Sequence, residues 1–381
     1  MAHNGTTRRE LAALATAGAA AVLIDGIAAP RTAQARLTMG MARDMIQLNA
    51  NESPYGPSAG ARAAMTRSQE VAARYPGDLE EELKAVLAAQ HGVRADQIVL
   101  GCGSGEILRM ADMAFLGPER SAVVAEPTFE AVLAYAGAAR GNAVKVPLNA
   151  SFRHDLPAMA GACGAGTGLV YVCNPNNPTG TVVTTDELAA FMKRVPASVT
   201  VLLDEAYLHF VERADVRSGL DLLAEHDNLV VVRTFSKIYG LAGMRLGYAV
   251  GSTARIAELK RHATANNANA AVLAAALASL AEPDLVPRMR KTMNDTRGAL
   301  CAALIGDGRR IIPTEANFVM VEVGGDVAEL ISSFAERKIL VGRKFPSLPT
   351  WLRVSVGTPE ETAAFLKALR ELRPAATSAA R

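Results

Sequence analysis

A lysine that closes a buried apolar run between two hydroxyl residues has the setting of a nucleophile. Lys237 stands there, in Val231-Val232-Arg233-Thr234-Phe235-Ser236-Lys237, and a glycine-containing turn leads on to Arg245. Partial desolvation lowers a lysine pKa and frees its amine to form a Schiff base with a carbonyl compound. Thr234, Ser236 and Arg245 could hold a phosphate beside it. Taken alone, the same segment also describes an exposed lysine next to a turn.

Three other segments have matching chemistry. Gly101-Cys102-Gly103-Ser104-Gly105-Glu106 leaves an apolar run ending at Leu100 and opens a helical pattern, so its backbone N–H groups can cradle a phosphate. The loop also resembles part of a dinucleotide fingerprint with Glu126 as ribose ligand, but Glu106 occupies the place of the third glycine. Cys173-Asn174-Pro175-Asn176-Asn177-Pro178-Thr179-Gly180 reads as a rigid turn after a strand. Leu202-Leu203-Asp204-Glu205-Ala206-Tyr207 ends another strand with an acid and a phenol three residues apart, where a helix-capping aspartate is the plainer alternative.

The elements that must position these groups alternate between strand and helix. Apolar runs at 97–100, 121–125, 168–173, 199–203, 229–233 and 246–250 show little polar alternation, as strands buried on both faces of a mostly parallel sheet do. Leu79, Leu83, Val86 and Leu87 mark one helical face that His91-Gly92 closes. In such an α/β sheet, ligands bind at the loops leaving the carboxyl ends of the strands. Beyond about residue 255, longer helical stretches precede strand-like runs at 317–323, 338–341 and 352–356, which suggests a smaller α+β domain.

Composition narrows the function classes. The 381 residues are 50% hydrophobic and 20% charged, which supports a large buried core. Lys+Arg 40 against Asp+Glu 38 leaves a formal charge of +2 and no broad basic field for nucleic acid. Cys102, Cys163, Cys173 and Cys301 are too scattered for a disulfide framework and read as buried thiols, and the 6 histidines show no metal-ligand spacing. No metal is therefore expected.

In their order, Asn174-Pro175-Asn176-Asn177-Pro178-Thr179-Gly180, Asp204-Glu205-Ala206-Tyr207 and Thr234-Phe235-Ser236-Lys237 followed by Gly240-Leu241-Ala242-Gly243-Met244-Arg245 resemble the fold type I pyridoxal-phosphate aminotransferases. The chain is most similar to their histidinol-phosphate aminotransferase subfamily. Leu48 to Gly56, Arg74-Tyr75-Pro76, Glu126-Pro127-Thr128-Phe129, Glu315 to Val319 and Leu352 to Thr358 extend the likeness over about residues 46–370. It implies a large domain with a mostly parallel seven-stranded sheet between helices and a smaller α+β domain. We divide the chain into a signal segment at 1–35, an arm at 36–60, a pyridoxal-phosphate domain at 61–255 and a small domain at 256–381.

The resemblance also assigns roles. Lys237 would form the Schiff base with pyridoxal 5'-phosphate and then move the substrate proton, while Asp204 would keep the pyridine nitrogen protonated. Tyr207 and Asn177 would bond the ring hydroxyl oxygen, and Phe129 would stack on the ring. Ser104, Gly105, Glu106, Thr234, Ser236 and Arg245 would hold the phosphate, joined by Tyr75 from the neighbouring subunit of a homodimer. Arg353 would take the substrate carboxylate, and Asn51, Tyr55 and Asn317 would border the pocket. The implied reaction moves an amino group from an amino acid or amino-alcohol phosphate to 2-oxoglutarate, with histidinol phosphate the default donor. A decarboxylase of the threonine-phosphate decarboxylase type shares nearly all of these motifs. From another class, a ligand-binding protein without catalysis would have no need of Lys237.

Two features depart from the subfamily. Its members commonly place a second arginine after an Ile-Leu-Val strand, where this chain has Ile339-Leu340-Val341-Gly342-Arg343. Arg343 could substitute from one residue later, although a one-residue slip on an extended strand turns a side chain to the other face. Trp351 either packs the small domain or borders an aromatic-substrate pocket. Secondly, Arg8-Arg9, the apolar run from Leu11 to Ile24 and Ala33-Gln34-Ala35 resemble a cleavable twin-arginine export signal, with Glu10 an imperfect match. As a helix that run would span ~21 Å, too short for a permanent membrane anchor. The alternative is an uncleaved extension on a cytoplasmic protein. Export would place the enzyme in the periplasm, away from histidine biosynthesis, and favours an aromatic, imidazole-bearing or other amino acid as donor. Changing Arg8 and Arg9 to Lys should move the protein from the periplasmic to the cytoplasmic fraction; unchanged fractionation would remove the export reading.

Overall fold

Apolar runs without polar alternation can be strands only where both of their faces are covered. The computed structural model describes residues 44–373, so the export segment and the cleavage site after Ala35 lie outside the described residues. Its first eight strands are β1 (Ile46–Leu48), β2 (Ile98–Gly101), β3 (Ser121–Glu126), β4 (Ala143–Pro147), β5 (Thr167–Cys173), β6 (Thr200–Asp204), β7 (Leu229–Thr234) and β8 (Gly247–Gly251). Seven form one sheet in the order β2-β8-β7-β6-β5-β3-β4. Only β8 runs against its neighbours, so the sheet is mostly parallel as expected.

The period of two along β5 shows why the run is apolar throughout. Val170 and Val172 pack with Leu156, Met159, Leu188 and Phe191 on one face. Leu169, Tyr171 and Cys173 pack with Ile107, Leu108 and Phe115 on the other. β4 gave no comparable signal, because on this edge strand only Val146 is buried. Parallel strands share a direction, so the loops after β3, β5, β6 and β7 all emerge at one edge of the sheet. Phe129, Asn177, Tyr207 and Lys237 lie on these loops.

The later strands are β9 (Ile311–Ile312), β10 (Phe318–Glu322), β11 (Ile339–Val341) and β12 (Trp351–Ser355). β12, β10 and β9 form an antiparallel sheet, while β1 pairs in parallel with β11. Leu48 of β1 is buried with Val319, Val354 and Phe365, which anchors the start of the described chain to its end. From that anchor the segment 49–57 runs past the Lys237 turn. Gly240, at φ 68, lets the two backbones touch, because a Cβ there would stand 2.2 Å from the carbonyl oxygen of Gly56.

Two local expectations are corrected, and one left open is decided. The helix Gly77–His91 ends at Gly92 in the left-handed conformation as read, but Val86 lies at the margin of its apolar stripe and is 37% exposed. All four cysteines are free thiols, yet only Cys173 is buried; Cys102 is exposed because it occupies the turn after β2. Trp351 packs with Ile312, Met320, Phe345 and Leu348 and meets Phe152 edge-on at 5.2 Å, so it fills a core and does not line the cavity described next.

Candidate active site

At the carboxyl edge of the sheet lies a cavity of about 420 Å³ lined by Lys237, Asp204, Arg245, Arg353 and Arg343 among others. The cations have an unusual set of partners. Lys237 Nζ donates to the carbonyl oxygen of Ala50 at 3.2 Å. Arg245 Nη1 donates to that of Ala242 at 3.0 Å, and Arg353 Nη2 to that of Asn49 at 2.8 Å. These carbonyls orient the charges without neutralising them. Among the described residues no carboxylate pairs with any of the three, whereas Arg343 is salt-bridged to Glu130.

Burial then sets the protonation chemistry. Lys237 sits on the turn after β7, with the Gly240 amide bonded to its own carbonyl. Burial and the nearby Arg353 guanidinium push its amine down to about 8, against the pull of Glu52 and Asp204. Asp204, at the end of β6, is 3% exposed, and burial pushes its carboxyl up to about 6. One of its oxygens accepts from the Tyr171 hydroxyl at 2.9 Å and the other from the Ala206 amide at 3.0 Å. Burial raises the Tyr207 phenol, partly offset by Arg353 and by the hydrogen bond from Asn51.

Arg353 comes from the middle of β12 and is 8% exposed. Its Nη1 donates to Asn177 Oδ1 at 2.7 Å, while its buried Nε has no partner among the described residues. Asn51 donates from Nδ2 to the Tyr207 hydroxyl at 3.1 Å and is itself pinned by Ser355. Strands from both ends of the chain thus converge on one polar cluster.

The other end of the cavity suits an anion. Thr184, Ser252 and Thr358 cap their helices with side-chain oxygens, but at Gly103, the N-cap of the helix Ser104–Phe115, no side chain does so. The N–H groups of Ser104 and Gly105 therefore remain available, with the positive end of the helix dipole. Gly103 has φ 76, and a Cβ there would lie 2.1 Å from Arg245 Nη2. Arg245 also reaches Ser236 Oγ at 3.4 Å, and Thr234 Oγ1 donates to that oxygen at 2.9 Å.

Of the residues expected from sequence, Ser104, Gly105, Phe129, Asn177, Asp204, Tyr207, Thr234, Ser236, Lys237, Arg245, Arg353, Asn51 and Arg343 line this one cavity. Glu106 does not. Its carboxylate turns back to accept from the Cys102 amide at 2.6 Å and Asn267 Nδ2 at 2.8 Å, and its amide donates to Gly103, so it braces the loop from behind. Asn317 is also outside the lining and acts through Asn51, whose carbonyl accepts from its Nδ2 at 3.1 Å. Tyr55 and Tyr75 are outside it too, 38% and 84% exposed. Arg343 reaches the cavity because β11 stops at Val341, so strand alternation no longer governs its direction.

Sequence reasoning missed Tyr135, Glu52, Glu130 and Phe345 in the lining and Tyr171 behind Asp204. Tyr171 had a signal: a hydroxyl in a run buried on both faces must find a partner. The register Cys173↔Asp204 puts that partner one strand across and two residues along.

The donor set fits pyridoxal phosphate on these observations. Its phosphate would meet the uncapped helix start, Ser236 and Arg245; its pyridine nitrogen would meet the buried Asp204; its aldehyde would meet Lys237. The unpartnered Nε of Arg353 remains for a substrate anion.

The comparisons with known proteins agree in kind. A family model described as "Aminotransferase class I and II" matches residues 43–369. A histidinol-phosphate aminotransferase of Moorella thermoacetica is 39% identical over 333 residues, 87% of this chain and 86% of that protein. The crystal structure of histidinol-phosphate aminotransferase from Sinorhizobium meliloti in complex with pyridoxal 5'-phosphate is 25% identical, with a TM-score of 0.80 over 86% of this chain and 91% of that one. The L-threonine-O-3-phosphate decarboxylase of Porphyromonas gingivalis, 22% identical with a TM-score of 0.75 over 86% of this chain and 99% of that one, shares the fold.

The raised Asp204 carboxyl has a signed consequence for the cofactor-free protein. Its folded pKa of about 6 exceeds the ordinary 3.8, so the fold disfavours the charged form. That penalty is absent below about pH 4, grows as pH rises and is complete above about pH 6. Relative to wild type, Asp204→Asn should therefore gain on the order of 2–3 kcal/mol between the acid and neutral ends of this range, read by urea unfolding. A stability difference independent of pH would contradict the burial argument.

Proposed function

This chain belongs to the class I and II aminotransferase family, and from that premise we propose that it moves an amino group at Lys237 from an amino acid or amino-alcohol phosphate to 2-oxoglutarate. Pyridoxal 5'-phosphate is its cofactor. The observation that carries the reading is the set of cations oriented by backbone carbonyls and left without carboxylate partners around a buried aspartate. A cofactor with a phosphate and a substrate with a carboxylate would supply the missing anions.

The geometry supports one role for each residue in this reading. Ser104, Gly105, Ser236 and Arg245 would bind the cofactor phosphate, and Asp204 would hold a proton on the ring nitrogen. Tyr171 and the Ala206 amide fix the Asp204 carboxylate in place for that task. Bound there, pyridoxal phosphate supplies an electron sink for the charge left when the substrate Cα loses its proton. Lys237 would hold the cofactor through Nζ and, with its amine free, would take the proton of the substrate Cα onto that nitrogen. Its lowered pKa keeps a useful fraction uncharged near neutrality. Arg353 orients the carboxylate through its planar fork, with Asn177 and the Asn49 carbonyl holding the guanidinium in plane.

The reading includes a homodimer in which Tyr75 reaches the neighbouring active site. Supporting it, this tyrosine is 84% exposed and precedes the helix Gly77–His91, away from its own cavity.

Steady-state kinetics with L-amino acids and 2-oxoglutarate test the roles, on enzyme first checked by light scattering to be a dimer. Arg353→Ala should raise KM for carboxylate substrates by roughly 30-fold or more with a smaller change in kcat. Asp204→Ala should lower kcat by about 10²–10⁴ while cofactor stays bound. Near-normal turnover by the Asp204 variant, or carbon dioxide released without a keto acid, would overturn the proposal.

A further inference from the structure

The cations in the cavity differ in one respect that bears on substrate choice. Among the described residues Lys237, Arg245 and Arg353 have only neutral hydrogen-bond partners, but Arg343 Nη2 is bonded to Glu130 Oε2, and both residues line the cavity. Arg343 and Arg353 lie against the same Phe345 ring, at 4.2 Å and 5.3 Å from its centroid. Arg343 Nη1 is also bonded to the Lys344 carbonyl at 3.1 Å. The two guanidiniums are thus neighbours at the substrate end, one matched by a carboxylate and one unmatched.

Position 342 cannot supply another cation. The Gly342 amide donates to the Arg353 carbonyl at 2.8 Å, and a Cβ on Gly342 would stand 2.6 Å from that oxygen and 2.9 Å from Arg353 Cβ. An arginine there would displace the strand that carries Arg353. The second guanidinium beside Arg353 is therefore Arg343, on the same Phe345 ring, and its charge is cancelled by Glu130.

We propose that Glu130 is a specificity-determining residue: by neutralising Arg343 it leaves one net positive charge, on Arg353, and so matches the site to an α-amino acid carboxylate in preference to a phosphate ester. This inference rests on the aminotransferase reading and names the donor class within it. A carboxylate carries one negative charge, whereas an alkyl phosphate carries about −1.5 to −2 near neutrality. One arginine balances the first, but the second needs two. The Glu130–Arg343 pair is about half exposed in the free protein and contributes little to stability there. A substrate bound against Arg353 would cover it, and with water excluded the mismatch between Glu130 and a second phosphate charge would weigh more.

L-Histidine and L-histidinol phosphate provide the test, because they share the imidazole and differ in carrying a carboxylate or a phosphate ester. Both kcat/KM and the dissociation constant, by calorimetry on the cofactor-loaded enzyme, are measured for each. The wild type should favour histidine. Glu130→Gln should shift the ratio toward histidinol phosphate by about tenfold, and adding Arg343→Gln should remove most of that shift. A wild-type preference for histidinol phosphate, a ratio unmoved by Glu130→Gln, or a full shift that survives Arg343→Gln would overturn the proposal. The binding ratio decides it separately from catalysis: absence of turnover with every donor sinks the aminotransferase reading, while an unmoved binding ratio sinks the role of Glu130.

Discussion

Burying positive charge without a counter-ion is costly, and among the described residues this fold does so at Arg353 and, in part, at the half-buried Lys237, with the exposed Arg245 lining the same cavity. Lys237, Arg245 and Arg353 are each held by a backbone carbonyl, from Ala50, Ala242 and Asn49. A carbonyl dipole fixes direction and recovers part of the lost hydration, but it leaves the formal charge unbalanced. The cavity is thereby preorganised for anions that arrive with cofactor and substrate. A protein whose cations were all salt-bridged internally would have to break those bridges before binding anything.

Most of the architecture serves that arrangement. Two of the three carbonyls belong to the short stretch after β1, which pairs with β11, while Arg353 comes from β12. Lys237 and Asp204 come from the central sheet, on loops whose shared direction follows from parallel pairing. The close backbone approach at Gly240 and the hydrogen bonds of Asn51 to Tyr207 and Ser355 tie the stretch after β1 to both sheets. Glu106 supports the anion end without facing it, by holding the Cys102 amide and Asn267.

How much was legible in the sequence follows from what kind of constraint each residue obeys. Strands buried on both faces announce themselves by uninterrupted apolar runs, and the loops after them carried Lys237, Asp204 and Asn177 in a recognisable order. The edge strand β4, with Val144 and Lys145 exposed, obeys no such rule and was invisible. Roles that depend on side-chain direction were harder. Glu106 and Asn317 have residue types that suit a pocket, but each turns its polar atoms to neighbouring loop atoms. Glu130 carried no motif at all, because its role arises only when the chain brings it to Arg343, 213 residues later. Arg343 itself escaped strand alternation because its strand had already ended.

Anion binding and proton transfer here both depend on Lys237 being desolvated beside an Arg353 that has no carboxylate partner among the described residues, and the titration of Lys237 is the sharpest test. Carbon-13 NMR of the cofactor-free protein with labelled lysine, with the Lys237 signal assigned by its loss in Lys237→Arg, reads that amine alone. The midpoint should lie near 8, well below the ordinary 10.5. A midpoint shared with surface lysines would mean that the amine is solvated or paired, and would contradict the central claim.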